Sequence, residues 1–381
     1  MPATLFDLET PALVVDLDRL ERNLDRAADY TRAHGIALRP HVKTHKTPWI
    51  AAEQLRRGAV GLTCATPREA ETMSEVGSDL LVAYPPVGAA RARRLVALPE
   101  NVRLTVGLDS AAAVELLAAS ARAADRRVRV LVEMDMGMRR VGVAGVEEAI
   151  ALAQQVTASA PLEYAGVMFY PGHVRESVAE QEASLAALRQ AVDGALRALE
   201  RAGLRPGVVS GGSTPTLWRS HELPGVTEIR PGTYVFNDRT TAEVGACAWD
   251  DVALTVLATV VSTAVAGQAV IDAGTKALGR EPIDGARAPG ADEVQTAGFG
   301  ALFDRPEVTV SRMSEEHGIL DLSRTEWRPK VGDQVRVVPN HVCIVVHLND
   351  VIYGVRGQDV VETKWPVAAR GREAPEAVPA W

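Results

Sequence analysis

ALRPHVKTHKTPWIAAEQLRRGAVGLTCATPREAETMSEVGSDLLVAYP, residues 37–85, is the stretch that decides the fold. Three β-rich runs (37–43, 61–66 and 79–85) alternate with helical spacing, once near 47–58 and again from Pro67. Short apolar runs separated by amphipathic helices are the pattern of parallel βα units. Outward from this stretch the alternation continues. ALVVDL (12–17) reads as a strand, and Asp18 to His34 reads as a helix with Leu20, Leu24 and Ala27 on one face. RLTVGLD (103–109), RVRVLVEMD (127–135), EYAGVMFY (163–170), GVVSGGS (207–213) and VTEIRPGTYVF (226–236) supply the later strands. About eight such units predict a (β/α)8 TIM-type barrel. A doubly wound sheet is the alternative, but no GxGxxG opens the first unit, which counts against a dinucleotide fold.

After about residue 250 the pattern changes. VALTVLATVVST (252–263), GQAVIDAG (267–274), VTVSRMS (308–314), DQVRVVPNHVCIVVHL (333–348) and DVIYGVR (350–356) are β-rich with little helix between them. They predict a C-terminal all-β domain. The end of the chain, RGREAPEAVPAW (370–381), is rich in Pro and Ala and reads as a loosely held tail.

Composition narrows the function. The 381 residues carry a net charge of −8 and no Lys/Arg run, so nucleic acid and anionic membrane surfaces are poor partners. Cys64, Cys247 and Cys343 are few, odd in number and far apart, unlike a secreted disulfide framework. No signal-peptide pattern or membrane-spanning apolar run is visible, which makes the cytoplasm the expected location. Only five lysines occur: Lys43, Lys46, Lys276, Lys330 and Lys364. Arginine cannot lose its proton in a protein or form an imine, so chemistry that needs a free amine must keep a lysine.

Two lysines fall in RPHVKTHKTP (39–48). Lys43 closes a barrel strand, where active sites of such barrels lie, with His41 and His45 beside it. Burial and neighbouring positive charge would lower its pKa and suit it to a Schiff base. SGGSTPT (210–216) and RPGTYVF (230–236) are small-residue loops after late strands. Gly212, Ser213, Thr214, Gly232, Thr233 and Tyr234 are the residue types whose N–H and O–H groups bind phosphate there. PNHVC places His341 and Cys343 on a strand at alternate positions, on one face, where imidazole and thiolate suit zinc or another divalent metal. His347 shares the alternation and reads as an outer neighbour. In YPGH (170–173), Tyr170 and His173 follow a barrel strand, and His173 is a candidate acid or base.

The sequence resembles the fold-type-III pyridoxal-phosphate enzymes, within them the group of D-threonine aldolase, D-serine dehydratase and D-3-hydroxyaspartate dehydratase. The resemblance runs nearly end to end through TPALVVDLDRLERN, RPHVKTHKTP, VEMDMGMRRVGV, GVVSGGSTPT, TEIRPGTYVFND, IDAGTKAL, SEEHGIL and PNHVC. It implies that Lys43, rather than Lys46, holds pyridoxal 5'-phosphate. Arg140, two positions before Gly142, would meet the cofactor's phenolic oxygen, with Arg139 as its alternative. Tyr170 would meet the pyridine ring or its nitrogen. The His-x-Cys pair would hold the metal (zinc, manganese or similar), and Glu316 and His317 would contact substrate or metal. The resemblance also moves ALVVDL into the β domain. The expected division is 18–245 for the barrel, with 1–17 and 246–381 forming the β domain. A small D-amino acid is the implied substrate and a homodimer the implied assembly.

Two reactions compete on such a site. Removing the β-hydroxyl proton breaks the Cα–Cβ bond and releases an aldehyde and glycine. Removing the Cα proton expels hydroxide and gives a 2-oxo acid and ammonia. HLNDVIYGVRGQDVVETKWPVAARGR (347–372) looks like the aldolases and the His-x-Cys pair like the dehydratases. The aldolase is the first expectation, ahead of the dehydratase, a racemase and a non-catalytic cofactor carrier.

Overall fold

The computed structural model describes residues 3–281, 283, 297–357 and 360–371. Most of the expected Pro/Ala-rich tail lies outside them. The first strand, β1 (Ala12–Asp16), stands apart from the βα series, as the resemblance implies. The next eight strands form that series: β2 (Ala37–Leu38), β3 (Leu62–Cys64), β4 (Asp79–Val82), β5 (Arg103–Leu108), β6 (Val128–Glu133), β7 (Leu162–Met168), β8 (Val208–Gly211) and β9 (Glu228–Ile229). They make one parallel sheet in the order β2-β9-β8-β7-β6-β5-β4-β3. Its ends meet where a parallel bridge joins His41 to Thr63 and the Thr63 N–H donates to the Pro40 carbonyl at 2.9 Å. The barrel is the (β/α)8 kind.

Local chemistry starts the connecting helices. Thr47 caps the helix Pro48–Arg56 by accepting the Ile50 N–H at 3.3 Å, with proline at its first position. Thr66 caps Pro67–Met73 by accepting the Glu69 N–H. Inside the barrel, Leu81, Leu131, Ala165 and Met168 pack as one apolar layer. A charged layer accompanies it. The Arg39 guanidinium donates to Asp79 and to Glu228, each at 2.8 Å, and Asp79 also pairs with Arg103. Glu228 in turn accepts the Ser210 hydroxyl at 2.6 Å. Arg39, Glu228 and Ser210 are all buried. Losing one member would leave a buried charge unpaired, which costs about 3–5 kcal/mol.

The remaining strands are β10 (Leu254–Ser262), β11 (Gln268–Ile271), β12 (Gly300–Leu302), β13 (Arg305–Met313), β14 (Gly318–Asp321), β15 (Gln334–Pro339), β16 (Val351–Arg356) and β17 (Val360–Pro366). With β1 they form a nine-stranded sheet in the order β11-β14-β13-β12-β15-β10-β1-β16-β17. β1 runs antiparallel to β10 and parallel to β16. The chain divides into two compact units, 1–23 with 233–367 and 24–232 with 368–381. The crossings fall after Asn23 and Gly232 rather than at the expected 17 and 245, because the segment Thr233–Glu243 packs with the β strands.

The β-rich reading of 333–348 needs correction. The strand stops at Pro339, and Val342–Leu348 is an α-helix with His341 as its N-cap residue. Alternation on a strand therefore does not describe His341, Cys343 and His347. Among the described residues no helix is long and apolar enough to cross a membrane.

Candidate active site

In the barrel unit, nearly every residue of RPHVKTHKTP has a structural task. The backbone turns sharply after the bridge at His41. Val42–Thr44 is a single 3-10 turn, and the Val42 carbonyl accepts N–H groups from His45 and Lys46. Lys43 thus sits just beyond the strand rather than on its last residue. His41 accepts the Lys43 N–H on Nδ1 at 3.4 Å. Burial, with Lys43, Arg230 and Lys46 nearby, holds its pKa well below the usual imidazole value. His41 is therefore neutral and carries its proton on Nε2.

Lys46 adopts positive φ (55°), is buried, and pairs with Glu69, which also accepts the Ala65 N–H at 2.6 Å. Its amine is thereby committed to a buried carboxylate. Lys43 is only half-buried, and its Nζ lies 5.9 Å from the centre of the Tyr170 ring. Arg140 approaches the same ring, with Cζ at 5.0 Å. The structure therefore brings Lys43, Arg140 and Tyr170 together.

Two carboxylates shape the loop that carries Arg140. Asp135 accepts the N–H groups of Gly137 (2.8 Å) and Arg139 (3.0 Å), and Asp109 accepts that of Gly142 (3.1 Å). His173 packs on this loop, its ring 2.9 Å from where a Cβ on Gly137 would stand. The late loops come close as well. A Cβ on Gly232 would lie 2.7 Å from the Thr44 hydroxyl and 3.1 Å from the His41 carbonyl, so only glycine fits against the lysine segment. Gly212 has φ +88°, and Ser213 accepts or donates a 3.0 Å hydrogen bond with Thr216. Thr233 and Tyr234 open a short 3-10 helix of the other unit.

A phosphate-bearing cofactor can be tested against these residues. Seven buried side-chain atoms of the described residues lack a hydrogen-bond partner, and Thr214 Oγ1, His173 Nδ1 and Glu133 Oε2 are three of them. Thr214 follows β8, His173 follows β7 and Glu133 ends β6, so all three lie at the carboxyl ends of barrel strands. Buried polar groups are rarely left unsatisfied. Donors on glycine-bearing loops, an unpartnered hydroxyl and an uncommitted lysine fit such a cofactor.

The sequence reading missed Arg230 and Glu133. Arg230 is buried and donates to the Phe169 carbonyl at 2.8 Å and to the Ser210 hydroxyl. Its place in RPGT, after a late strand, was its only sequence signal.

The second constellation lies in the β unit. The His341 Nδ1 meets Asp238 Oδ2 at 3.0 Å, and the same oxygen accepts the Val342 N–H at 3.1 Å. Asp238 Oδ1 accepts the Thr241 N–H at 2.9 Å, so the carboxylate is fixed within a fully buried pocket. Cys343 hydrogen-bonds His341. Burial opposes a charged imidazole there, but Cys343 and Asp238 outweigh it and raise the His341 pKa to about 11. A metal ion that displaces the second ring proton would find Nε2 presented to it, because Nδ1–H is held by the Asp238 carboxylate. Together with a thiolate, this donor set fits a borderline-soft divalent ion.

His347 is exposed one helical turn beyond Cys343. Glu316 is exposed and pairs with Lys276 at 2.6 Å, and His317 beside it is exposed. Among the described residues no three or more His, Cys, Asp and Glu side chains gather as a metal cluster.

His45 carries a testable consequence. It is fully buried, and burial, only partly offset by the neighbouring Gln54 side chain and Thr47 backbone, drives its pKa down to about 3. Above pH 6.5 neither the folded nor the unfolded chain protonates it. Between 6.5 and about 3 the unfolded chain binds a proton that the folded chain excludes. Stability should therefore fall as pH falls, by about 1.4 kcal/mol per pH unit from this side chain. His45→Asn should flatten the decline of the urea midpoint between pH 6 and 4. Parallel profiles for both proteins would show that His45 does not contribute.

Comparison with known proteins agrees with this organisation. The alanine racemase N-terminal domain family matches residues 15–240, and a serine dehydratase domain family matches 253–355. D-threo-3-hydroxyaspartate dehydratase of Delftia sp. (strain HT23) is 36% identical, over 90% of this chain and 93% of its own. The crystal structure of D-threonine aldolase from Filomicrobium marinum superposes with a TM-score of 0.87 at 33% identity, covering 97% of each chain. A D-threo-3-hydroxyaspartate dehydratase has also been solved as a cysteine-to-alanine mutant in the metal-free form (TM-score 0.84, 31% identity, 96% of this chain and 98% of that one).

Proposed function

We propose that this chain, which belongs to the alanine racemase N-terminal domain family, is a pyridoxal-phosphate-dependent lyase of small D-configured β-hydroxy-α-amino acids that splits Cα–Cβ to give glycine and an aldehyde. The observation that carries this reading is the approach of Lys43 and Arg140 to one ring, Tyr170, at the carboxyl end of the barrel. The Asp238–His341–Cys343 constellation supports it.

Pyridoxal phosphate, when bound, supplies an electron sink for the substrate's α-carbon. Lys43 would offer the amine that holds it, and Arg140 would supply positive charge to its phenolic oxygen. Gly212, Ser213, Thr214 and Gly232, all of the barrel unit, would be its phosphate donors. His41, kept neutral, holds its proton at Nε2 and can donate there. His173, stacked on the arginine loop with Nδ1 unpartnered, can accept or pass a proton. His341 and Cys343 would hold a divalent ion such as zinc or manganese, which makes a nearby hydroxyl more acidic. Asp238 fixes the imidazole for that task. We further propose that the working form is a homodimer, which sedimentation would test.

A second reading has its own support. The cysteine beside the histidine matches the residue type changed in the metal-free dehydratase structure. It favours loss of water to give a 2-oxo acid and ammonia. One incubation decides. With D-threonine, glycine and acetaldehyde should appear in equal amounts and L-threonine should be inert. Ammonia and 2-oxobutyrate forming faster than glycine would make the enzyme a dehydratase.

A further inference from the structure

Glu133 is the last residue of β6 and the one strongly acidic side chain on that strand. Its face is fixed by register. Leu131, two residues earlier, packs in the interior layer with Leu81, Ala165 and Met168. A period of two sends the Glu133 side chain to the same side, one step nearer the carboxyl end of the barrel. Its backbone cannot turn away, because the Glu133 carbonyl accepts the Val143 N–H at 2.9 Å and a parallel bridge joins Met134 to Val143. These bonds close the base of the loop that carries Arg140. Glu133 is 3% exposed, and Oε2 has no partner in the chain. The charged groups near it are Arg230, Arg140 and Asp109.

A carboxyl in that position is costly unless something completes it. The sequence could have placed an apolar residue there, as it does at Leu131 one layer below. Arg230 spends donors on the Phe169 carbonyl and Ser210 instead, and Arg140 lies over Tyr170. Neither fills the vacancy at Oε2 with a hydrogen bond. Burial acts in the same sense, raising the carboxyl pKa against the pull of Arg230 and Arg140.

We propose that Glu133 is a ligand-binding residue, its unpartnered oxygen kept for a hydrogen bond with the cofactor bound between Arg140 and Arg230. The assignment rests on the cofactor reading given above. It predicts a trade between stability and binding: the cofactor-free chain carries an unsatisfied buried group that the loaded chain does not.

The test uses the full chain, freed of cofactor, as wild type, Glu133→Met and Glu133→Leu. Two apolar replacements guard against a packing fault in one of them. Melting temperature is measured without cofactor, and pyridoxal phosphate binding is measured by absorbance titration. We expect at least one variant to melt about 2–4 °C higher than wild type and to bind pyridoxal phosphate about tenfold more weakly. If both variants melt below wild type, or if the variant that melts higher binds within threefold of wild type, Glu133 is structural and the assignment is overturned. A wild-type chain that takes up no pyridoxal phosphate refutes the cofactor reading itself, a separate result from unchanged binding in the variants.

Discussion

Lys43→Ala abolishes the visible absorbance of the bound cofactor and lowers lyase activity by more than about 10³-fold, whereas Lys46→Met leaves the absorbing species in place. The contrast follows from where the two amines lie. Lys46 is buried against Glu69 at positive φ, so its amine is committed to that carboxylate. Lys43 is half-buried on the next turn and faces Tyr170. Lys46→Met should instead reduce stability, since it strands the Glu69 carboxylate, at about 3–5 kcal/mol. Borohydride reduction followed by peptide mapping locates the attachment directly. A pyridoxyl group on Lys46 or Lys276, or on no lysine, would reject Lys43.

The second large effect belongs to the β unit. EDTA treatment, or Cys343→Ala, should remove most lyase activity, about 100-fold or more, while the cofactor's visible spectrum persists. The two losses should separate because Lys43, Gly212, Ser213, Thr214 and Gly232, the residues proposed to hold the cofactor, lie in the barrel unit, whereas His341 and Cys343 lie in the β unit. Asp238→Asn should act through His341. It weakens the anchor on Nδ1 and should cost about 10–100-fold in metal affinity, measured by competition with a chelator. Full activity in a preparation shown to be free of metal would end the metal assignment.

Much of this was legible in the residues, for reasons that differ from place to place. Barrel strands such as VRVLVE bury Val128, Val130 and Val132 on one face and are bounded by turns, so their periodicity survives in the sequence. Lys43 stands out because lysine is scarce and its chemistry is irreplaceable. VCIVVHL misleads because its β-branched residues favour strands. The fold overrides that preference by supplying a cap, since Asp238 receives the Val342 N–H at the helix start. That carboxylate lies 104 positions away in sequence, and no local pattern links the two. Arg39, Asp79 and Glu228 were invisible for a related reason. A hydrophobic period shows which positions face inward, but not that three of them satisfy one another's charge. Glu133 was quoted within a motif and passed over because a lone acidic residue at a strand end has no sequence feature that separates it from a solvated one.

The position of β1 bears on how the protein is made. ALVVD leaves the ribosome ahead of the barrel strands, yet its hydrogen-bonding neighbours are β10 and β16, and every barrel strand is synthesised between β1 and β10. At about 5–20 residues per second of synthesis, β1 waits on the order of ten seconds or more as an apolar segment with both edges open. Such an edge invites pairing with other nascent chains. The segment therefore needs a chaperone's cover until β10 and β16 are made. A circular permutant that moves β1 behind β17 would shorten the wait and should give a higher soluble yield in cells depleted of trigger-type chaperones.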